Sequence, residues 1–362
     1  MRFESLLRLA IGTAFGATLA CASGVTFVCN TTQVMNVMVY DPDTYASGTC
    51  AYLNSVVAGY YDDTFSNANA LIYIQMGDTG LGESTTGFYN DVTYTTYLDA
   101  LKAEGGPGVV RSDAVASLPA TEPTLYNGAD IQLTSALGNA LNISGMVGTT
   151  TDGNECFTPG SGTCYNGIIT ITTPANLASE TMNFPGGPQG LYWDQNGGTI
   201  TNEEYDFYSV VEHETDEVLG TSSCIGTSGS LADDCGGTIA SAVDLFRYNS
   251  SGSRVFISTT AGAYFAYNGV NGTGATNGVP TGAVYNTLAN GDDYADFADN
   301  CLDVQDATGC LGKALNITTD GGGEIDILDA VGYNVITPEP GTLALFGAGF
   351  AVLTLYRRRR RT

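Results

Sequence analysis

The sequence predicts an α+β protein: a sheet with helices, then a looser glycine-rich C-terminal lobe, with a short targeting segment at each end. Three observations predict it. Short β-branched runs alternate with stretches of helical spacing. A hydrophobic fraction of 43% in 362 residues is enough for a sizeable core. The 47 glycines, with abundant Thr, Tyr and Asn, point to short strands joined by many loops.

Residues 1–22 read as a signal peptide. Arg2 and Arg8 form a positive n-region, Leu9 to Leu19 is small and apolar, and Ala20-Cys21-Ala22 offers signal peptidase an A-x-A site. Thr18-Leu19-Ala20-Cys21 also suggests a lipobox, but its leucine sits one place too close to the cysteine. Residues 23–336 form the extracellular domain, with lobes at 23–220 and 221–336. Within it Cys50 to Tyr61 reads as a helix, Ala70 to Met76 as a strand, and Thr95 to Glu104 and Ile131 to Leu141 as helices. Gly167 to Thr172 and Leu191-Tyr192-Trp193 read as strands; 145–165 and 268–282 read as loops. Residues 23 to about 65 have the position of a prosegment, with no cysteine-switch motif.

Charge narrows the function classes. Between the two end segments only Lys102, Arg111, Arg247, Arg254 and Lys313 are basic, whereas of 38 acidic residues only Glu4 and Glu339 lie outside. Phosphate contacts need lysine and arginine, so nucleic-acid binding is excluded. So acidic a surface attracts divalent cations. The cysteines fall as close neighbours, Cys29/Cys50, Cys156/Cys164, Cys224/Cys235 and Cys301/Cys310. In an exported chain this reads as four local disulfides rather than a zinc site, because C-x2-C spacing is absent.

One segment carries chemistry. Thr201 and Glu204 make a capping box, Phe207, Val211 and Val218 recur at helical spacing, and Gly220 is placed to end the helix. His213 and Glu217, at i and i+4, then share a face with Glu214 beside them. In the zincin pattern H-E-x-x-H two histidines hold zinc and the glutamate serves as general base. Here the second histidine is Glu217, the chain holds no other histidine, and no methionine follows Met182. Glu212, Glu214, Asp216 and Glu217 crowd two turns, and residues 112–246 contain no Lys or Arg. Arg111, Arg247 and Arg254 folding back, or a metal, would neutralise them. A His-plus-carboxylate site suits zinc and also manganese or calcium.

Two resemblances follow. Thr337-Pro338-Glu339-Pro340, the apolar stretch 341–356 and Arg357 to Arg361 look like a PEP-CTERM sorting signal (337–362). That implies an exosortase-type sorting enzyme as partner and a transient transmembrane anchor, shorter than the roughly 20 residues of a permanent span. The second rests on Tyr205-Asp-Phe-Tyr, His213-Glu-Thr-Asp-Glu-Val-Leu-Gly, Asp244-Leu-Phe-Arg-Tyr248 and Leu328-Asp-Ala-Val-Gly-Tyr333. These resemble secreted, PEP-CTERM-associated bacterial proteins described as zincin-like metalloproteases. The resemblance implies a zincin-like mixed sheet with an active-site helix. It also implies His213 and Glu217 as metal ligands, Glu214 as general base, and an extracellular protein or peptide as substrate. Asp244 is the candidate third ligand, and Tyr248 a candidate oxyanion contact. The alternative is a non-catalytic cell-surface or exopolysaccharide-matrix protein on a degenerate zincin fold. The acidic clusters around Gly291 (Asp292, Asp293, Asp296, Asp299) and at Asp320 to Glu324 match no EF-hand spacing; solvated turns are the expectation for both, with calcium as the other reading.

Overall fold

The strand Ala70–Gly77 (β2) alternates in burial, with Ala70, Ile72, Ile74 and Met76 turned into the core. It is described in a computed structural model, which covers residues 24–30, 49–86, 90–106, 108–121, 130–172, 191–193, 200–202, 204–226, 231, 235, 239–258, 260, 262–269, 284–287, 293–298, 301–319 and 322–336. The signal segment, the tail 337–362, Asp292, Asp299, Asp320 and most of 268–282 lie outside these residues.

β2 sits inside a four-stranded mixed sheet, order β1-β2-β8-β3, where β1 is Val25–Cys29, β3 Gly82–Thr85 and β8 Gly167–Thr172. β1 and β8 run parallel to β2. β3 is an edge strand antiparallel to β8, pairing Gly82 with Ile171 and Thr85 with Ile168. β8 is buried along almost its whole length, as befits a strand paired on both sides. The helical stretch α1 (Thr49–Tyr52), a π turn (Leu53–Val57) and α2 (Ala58–Thr64) lies against β1. Its side chains occupy backbone groups of β1: Val25 N–H donates to Asp62 Oδ1 at 2.9 Å and Phe27 N–H to Asn54 Oδ1 at 2.9 Å. Asn54 Nδ2 in turn donates to Phe27 O at 2.9 Å. The strand edge is thus covered, and Cys29–Cys50 staples it. This segment is built into the sheet, so a removable prosegment does not fit it.

The segment expected as one helix over 131–141 is split. Asp130–Leu133 is a strand, β5, paired with β4 (Asn90–Thr93) and β11 (Ala240–Ser241). Thr134 then caps the short helix α5 (Ser135–Ala140) by accepting from Leu137 N–H at 3.1 Å. Cross-strand pairing overrides the local periodicity here. The expected helix at 95–104 is present as α3 (Tyr94–Glu104), capped by Thr93 and ended by Gly105 in the left-handed region. Two helices with weak sequence signals complete the frame: α4 (Val109–Ser117) and α7 (Gly323–Val331), packed on each other.

The helix bearing the chemistry, α6, spans Phe207–Asp216 and continues through a π turn, Glu217–Thr221, to Gly220 at φ 126°. It starts later than the capping box predicts. Thr201 N–H does donate to Glu204 Oε2 at 2.8 Å, but Glu204–Asp206 is a strand (β10), and Asp206 is the N-cap. β10 runs parallel to β9 (Leu191–Trp193), the strand expected there. α6 packs on β3 and β8. Two glycines permit that approach: a Cβ on Gly82 would overlap the Glu214 carboxylate, and one on Gly167 would overlap Val218. The core beneath is shared by Ile72, Leu137, Val218, Phe246, Phe265 and Leu328.

All four disulfides expected from spacing are formed: Cys29–Cys50, Cys156–Cys164, Cys224–Cys235 and Cys301–Cys310. They are not mere surface clasps on loops. Cys164 is buried, and its bond to Cys156 closes a short hairpin, β6 (Gly148–Thr149) with β7 (Glu155–Cys156), inside the stretch 145–165 that reads as loop in the sequence. Thr149 N–H also donates to Tyr165 O at 3.0 Å, beside Cys164, so backbone pairing and not periodicity gives this stretch its order. Cys235 is buried with Cys224 in the main core, and its carbonyl accepts from Gln132 Nε2 of β5 at 3.0 Å. Among the described residues no helix is long and apolar enough to cross a membrane.

Candidate functional site

The helical phase of α6 sorts its four acids into two pairs. Glu212 and Asp216 point to the core. Glu212 Oε2 accepts from Ile317 N–H at 3.1 Å, and Asp216 Oδ1 accepts from the Tyr61 hydroxyl at 2.9 Å. Burial, then the charges of Asp216 and Glu212, holds the Tyr61 phenol well above its ordinary pKa, so it remains a donor. Glu214 and Glu217 turn the other way, beside His213.

His213 Nδ1 lies 3.1 Å from the carbonyl of Val304. A carbonyl only accepts, so Nδ1 bears a hydrogen; in the neutral ring Nε2 is then the nitrogen that can serve a metal. Nε2 faces Glu217 Oε1 at 3.9 Å and Asp296 Oδ1 at 3.6 Å, with side-chain exposures of 15% for His213, 12% for Glu217 and 4% for Asp296. Ser84 of β3 donates to Glu217 Oε2 at 2.6 Å, and Gln305 Nε2 donates to Asp296 Oδ1 at 2.9 Å. His213, Glu217 and Asp296 offer donor atoms within 4.8 Å of one another, and the 3.9 and 3.6 Å from Nε2 are short enough for one ion with bonds of about 2.0–2.2 Å to bridge. One imidazole and two carboxylates form a donor set suited to zinc or manganese.

The cysteines stand apart from this chemistry. Cys301, Asp306 and Cys310 make the other close grouping among the described residues, but the two sulfurs are bonded to each other and offer no thiolate. The same holds for Cys164, bonded to Cys156, and for Cys235, bonded to Cys224. Cys29 and Cys50 are likewise joined. All eight are structural, and none is a ligand or a nucleophile.

Glu214 is buried against Gly82 and hydrogen-bonded to Glu217. Burial first, and then the charges of Glu217, Asp296 and Glu83, push its carboxyl well above the usual range. Asp293 is likewise raised, chiefly by removal from water and by Glu217. Its carboxylate accepts from Ser223 N–H at 2.9 Å and from Ala295 N–H at 2.6 Å. The three arginines that, as one alternative to a metal, could neutralise these acids make their contacts elsewhere. Arg111 reaches Asp329 at 3.6 Å and donates to Tyr333 O at 2.9 Å. Arg247 donates to Tyr294 O at 2.6 Å and stacks on Tyr285 at 4.6 Å. Arg254 holds the Tyr248 hydroxyl at 2.6 Å.

Sequence reasoning thus places His213, Glu214 and Glu217 together, as the structure does, but not the third carboxylate. Asp244 does not join them. Its Oδ1 accepts from Ser223 Oγ at 2.6 Å, and its Oδ2 accepts from Cys224 N–H, Ser241 N–H and Ser241 Oγ, each at 2.9 Å. Both oxygens are taken in tying the 222–224 turn to β11. Tyr248 is buried, and its hydroxyl accepts from Arg254 Nη2 at 2.6 Å. Two acids of the clusters expected as solvated turns are instead inside: Asp296 and Glu324 are buried, and Glu324 Oε1 accepts from Gln305 N–H at 2.7 Å. Asp296 could have been found only by asking which acid of the 292–299 cluster is drawn into the core.

The tail adds what the folded body does not. Residues 337–361 match the family model described as the PEP-CTERM protein-sorting motif. That motif marks an exported protein anchored by its C-terminal tail and recognised by an exosortase-type sorting enzyme. No curated protein and no solved structure matches the chain.

Proposed function

We propose that this exported protein is a metal-dependent peptidase of zincin type, with His213, Glu217 and Asp296 as ligands and Glu214 as general base. The observation that carries the reading is the convergence of His213 Nε2, its ring set by the Nδ1 contact to the Val304 carbonyl, with two carboxylates from separate parts of the chain. The setting supports it: α6 lies against a mixed sheet, contacting β3 and β8.

When bound, zinc or manganese would polarise a carbonyl and bring a water's pKa toward neutrality. The chain's own groups do the rest. His213 and the two carboxylates fix the position of that chemistry, and Ser84 and Gln305 hold the carboxylates in place. Glu214 takes the proton from the attacking water and returns it to the leaving amine. A carboxyl whose pKa lies above the ordinary range is suited to holding that proton between the two transfers. The substrate is an extracellular protein or peptide, reached after signal peptidase has removed residues 1–22.

The test is metal content by elemental mass spectrometry, followed by peptide turnover. Wild type should carry roughly one zinc or manganese per chain and His213→Ala none. Glu214→Gln should keep the metal and lose peptide cleavage by about 10²–10⁴-fold. A wild type that binds metal but cleaves no peptide would instead favour the non-catalytic surface or matrix protein. Absence of a transition metal from both proteins would remove the site.

A further inference from the structure

The loop between Cys301 and Cys310 has a property the ligands do not explain. Two consecutive residues in it hold two of the three ligands. The Val304 carbonyl sets the His213 ring through Nδ1 at 3.1 Å, and Gln305 Nε2 grips Asp296 Oδ1 at 2.9 Å. That Oδ1 is the oxygen facing His213 Nε2. Gln305 is fully buried, and its Oε1 has no hydrogen-bond partner among the described residues. The side chain therefore forgoes one bond and gives its N–H to Asp296. The reverse amide orientation would set a carbonyl against a carboxylate. The backbone of Gln305 is anchored twice more, its N–H to Glu324 Oε1 at 2.7 Å and its carbonyl to Phe297 N–H at 2.8 Å. The Cys301–Cys310 disulfide closes the loop over a separation of 9 residues.

We propose that the 301–310 loop is the element that preorganises the metal centre, with Gln305 as its positioning residue and the Cys301–Cys310 disulfide as the closure that keeps Val304 and Gln305 in place. This rests on the reading of His213, Glu217 and Asp296 as a metal centre. Glu217 is held independently, by Ser84 of β3, so loss of the loop should loosen two ligands and spare the third. Groups that orient metal ligands through hydrogen bonds contribute affinity without touching the ion.

The experiment measures zinc dissociation constants by chelator competition on the purified protein, together with the visible spectrum of the cobalt(II)-loaded protein. Metal-free melting temperatures serve as the control for folding. Gln305→Leu should weaken zinc about 10–100-fold and change the cobalt bands while leaving the metal-free melting temperature close to wild type. Cys301→Ser/Cys310→Ser should weaken zinc at least as much. Cys156→Ser/Cys164→Ser, which opens a disulfide in a different hairpin, should leave affinity unchanged. Should the 301/310 variant fail to fold, Gln305→Leu decides alone. Wild-type affinity and cobalt bands in Gln305→Leu would overturn the inference and leave the metal centre standing, as would equal weakening by the 156/164 variant. Zinc bound by neither wild type nor variants would overturn both.

Discussion

The two acidic faces of α6 differ in what they meet, not in what they are made of. Glu212 and Asp216 look inward and each accepts from a protein donor, the Ile317 amide and the Tyr61 hydroxyl. Glu214 and Glu217 look toward β3, where Ser84 satisfies one oxygen of Glu217 and His213 Nε2 lies opposite the other. Carboxylates held by core donors serve stability, whereas carboxylates gathered round an imidazole make sense in the company of a cation. Four acids within six residues of one helix thus divide between scaffold and site.

Three changes would break or sharpen that contrast. The largest effect should come from the inward face. Asp216→Ala leaves the fully buried Tyr61 hydroxyl without its carboxylate, at a cost of roughly 1–3 kcal/mol and several degrees of melting temperature. Metal content should not change; a loss of bound metal without a loss of stability would erase the distinction between the faces. Next comes chelation, acting on the outward face. With four disulfides and a shared core, metal removal should lower the melting temperature by only about 2–4 °C, or ~1 kcal/mol. The shift should vanish in His213→Ala, and a collapse of the fold in EDTA would mean that the ion is structural.

The smallest effect tests a third acidic pair, on α7. Burial, and then the charge of Asp329, pushes Asp326 up to about 6. Burial raises Asp329 to about 6 as well, against the pull of Arg111. Each folded value lies above the unfolded one, so the folded state binds protons that the unfolded chain releases between about pH 4 and 6. Stability from this pair therefore rises as pH falls from 7 toward 5. Asp326→Asn should flatten that rise in melting temperature; an unchanged slope would show that the pair does not govern it.

Much of this was legible in the sequence wherever the determining partner is close along the chain. His213, Glu214 and Glu217 share a helix, so spacing alone put them on one face. The four cysteine pairs are separated by 21, 8, 11 and 9 residues, and proximity predicted each of them. What proximity left out is where they sit: nothing in the spacing says that Cys164 and Cys235 are drawn inside while Cys156 stays half-buried. Asp296 was not legible, because it reaches His213 from a non-periodic loop far along the chain, and nothing local tells it from Asp293. Asp244 misled for the opposite reason: its motif marks a conspicuous segment, but the motif's role is to fasten a turn. At 131–141, Ile131 and Leu133 fit either period, and only the neighbouring strands decided for β5.

The C-terminal end of the described domain is stitched to the residues that close α2. Phe65 bridges Val335, Ser66 N–H donates to Asn334 O at 2.8 Å, and Ile336 N–H donates to Thr64 O at 2.7 Å. The Tyr333 hydroxyl reaches the Leu219 carbonyl, at the end of the site helix, at 2.8 Å. This gives assembly a timetable. The short-range disulfides can close as each loop emerges from the export channel, but the last seam waits for residues 333–336, which immediately precede the sorting motif. The body becomes whole only when the residues next to its sorting motif have arrived.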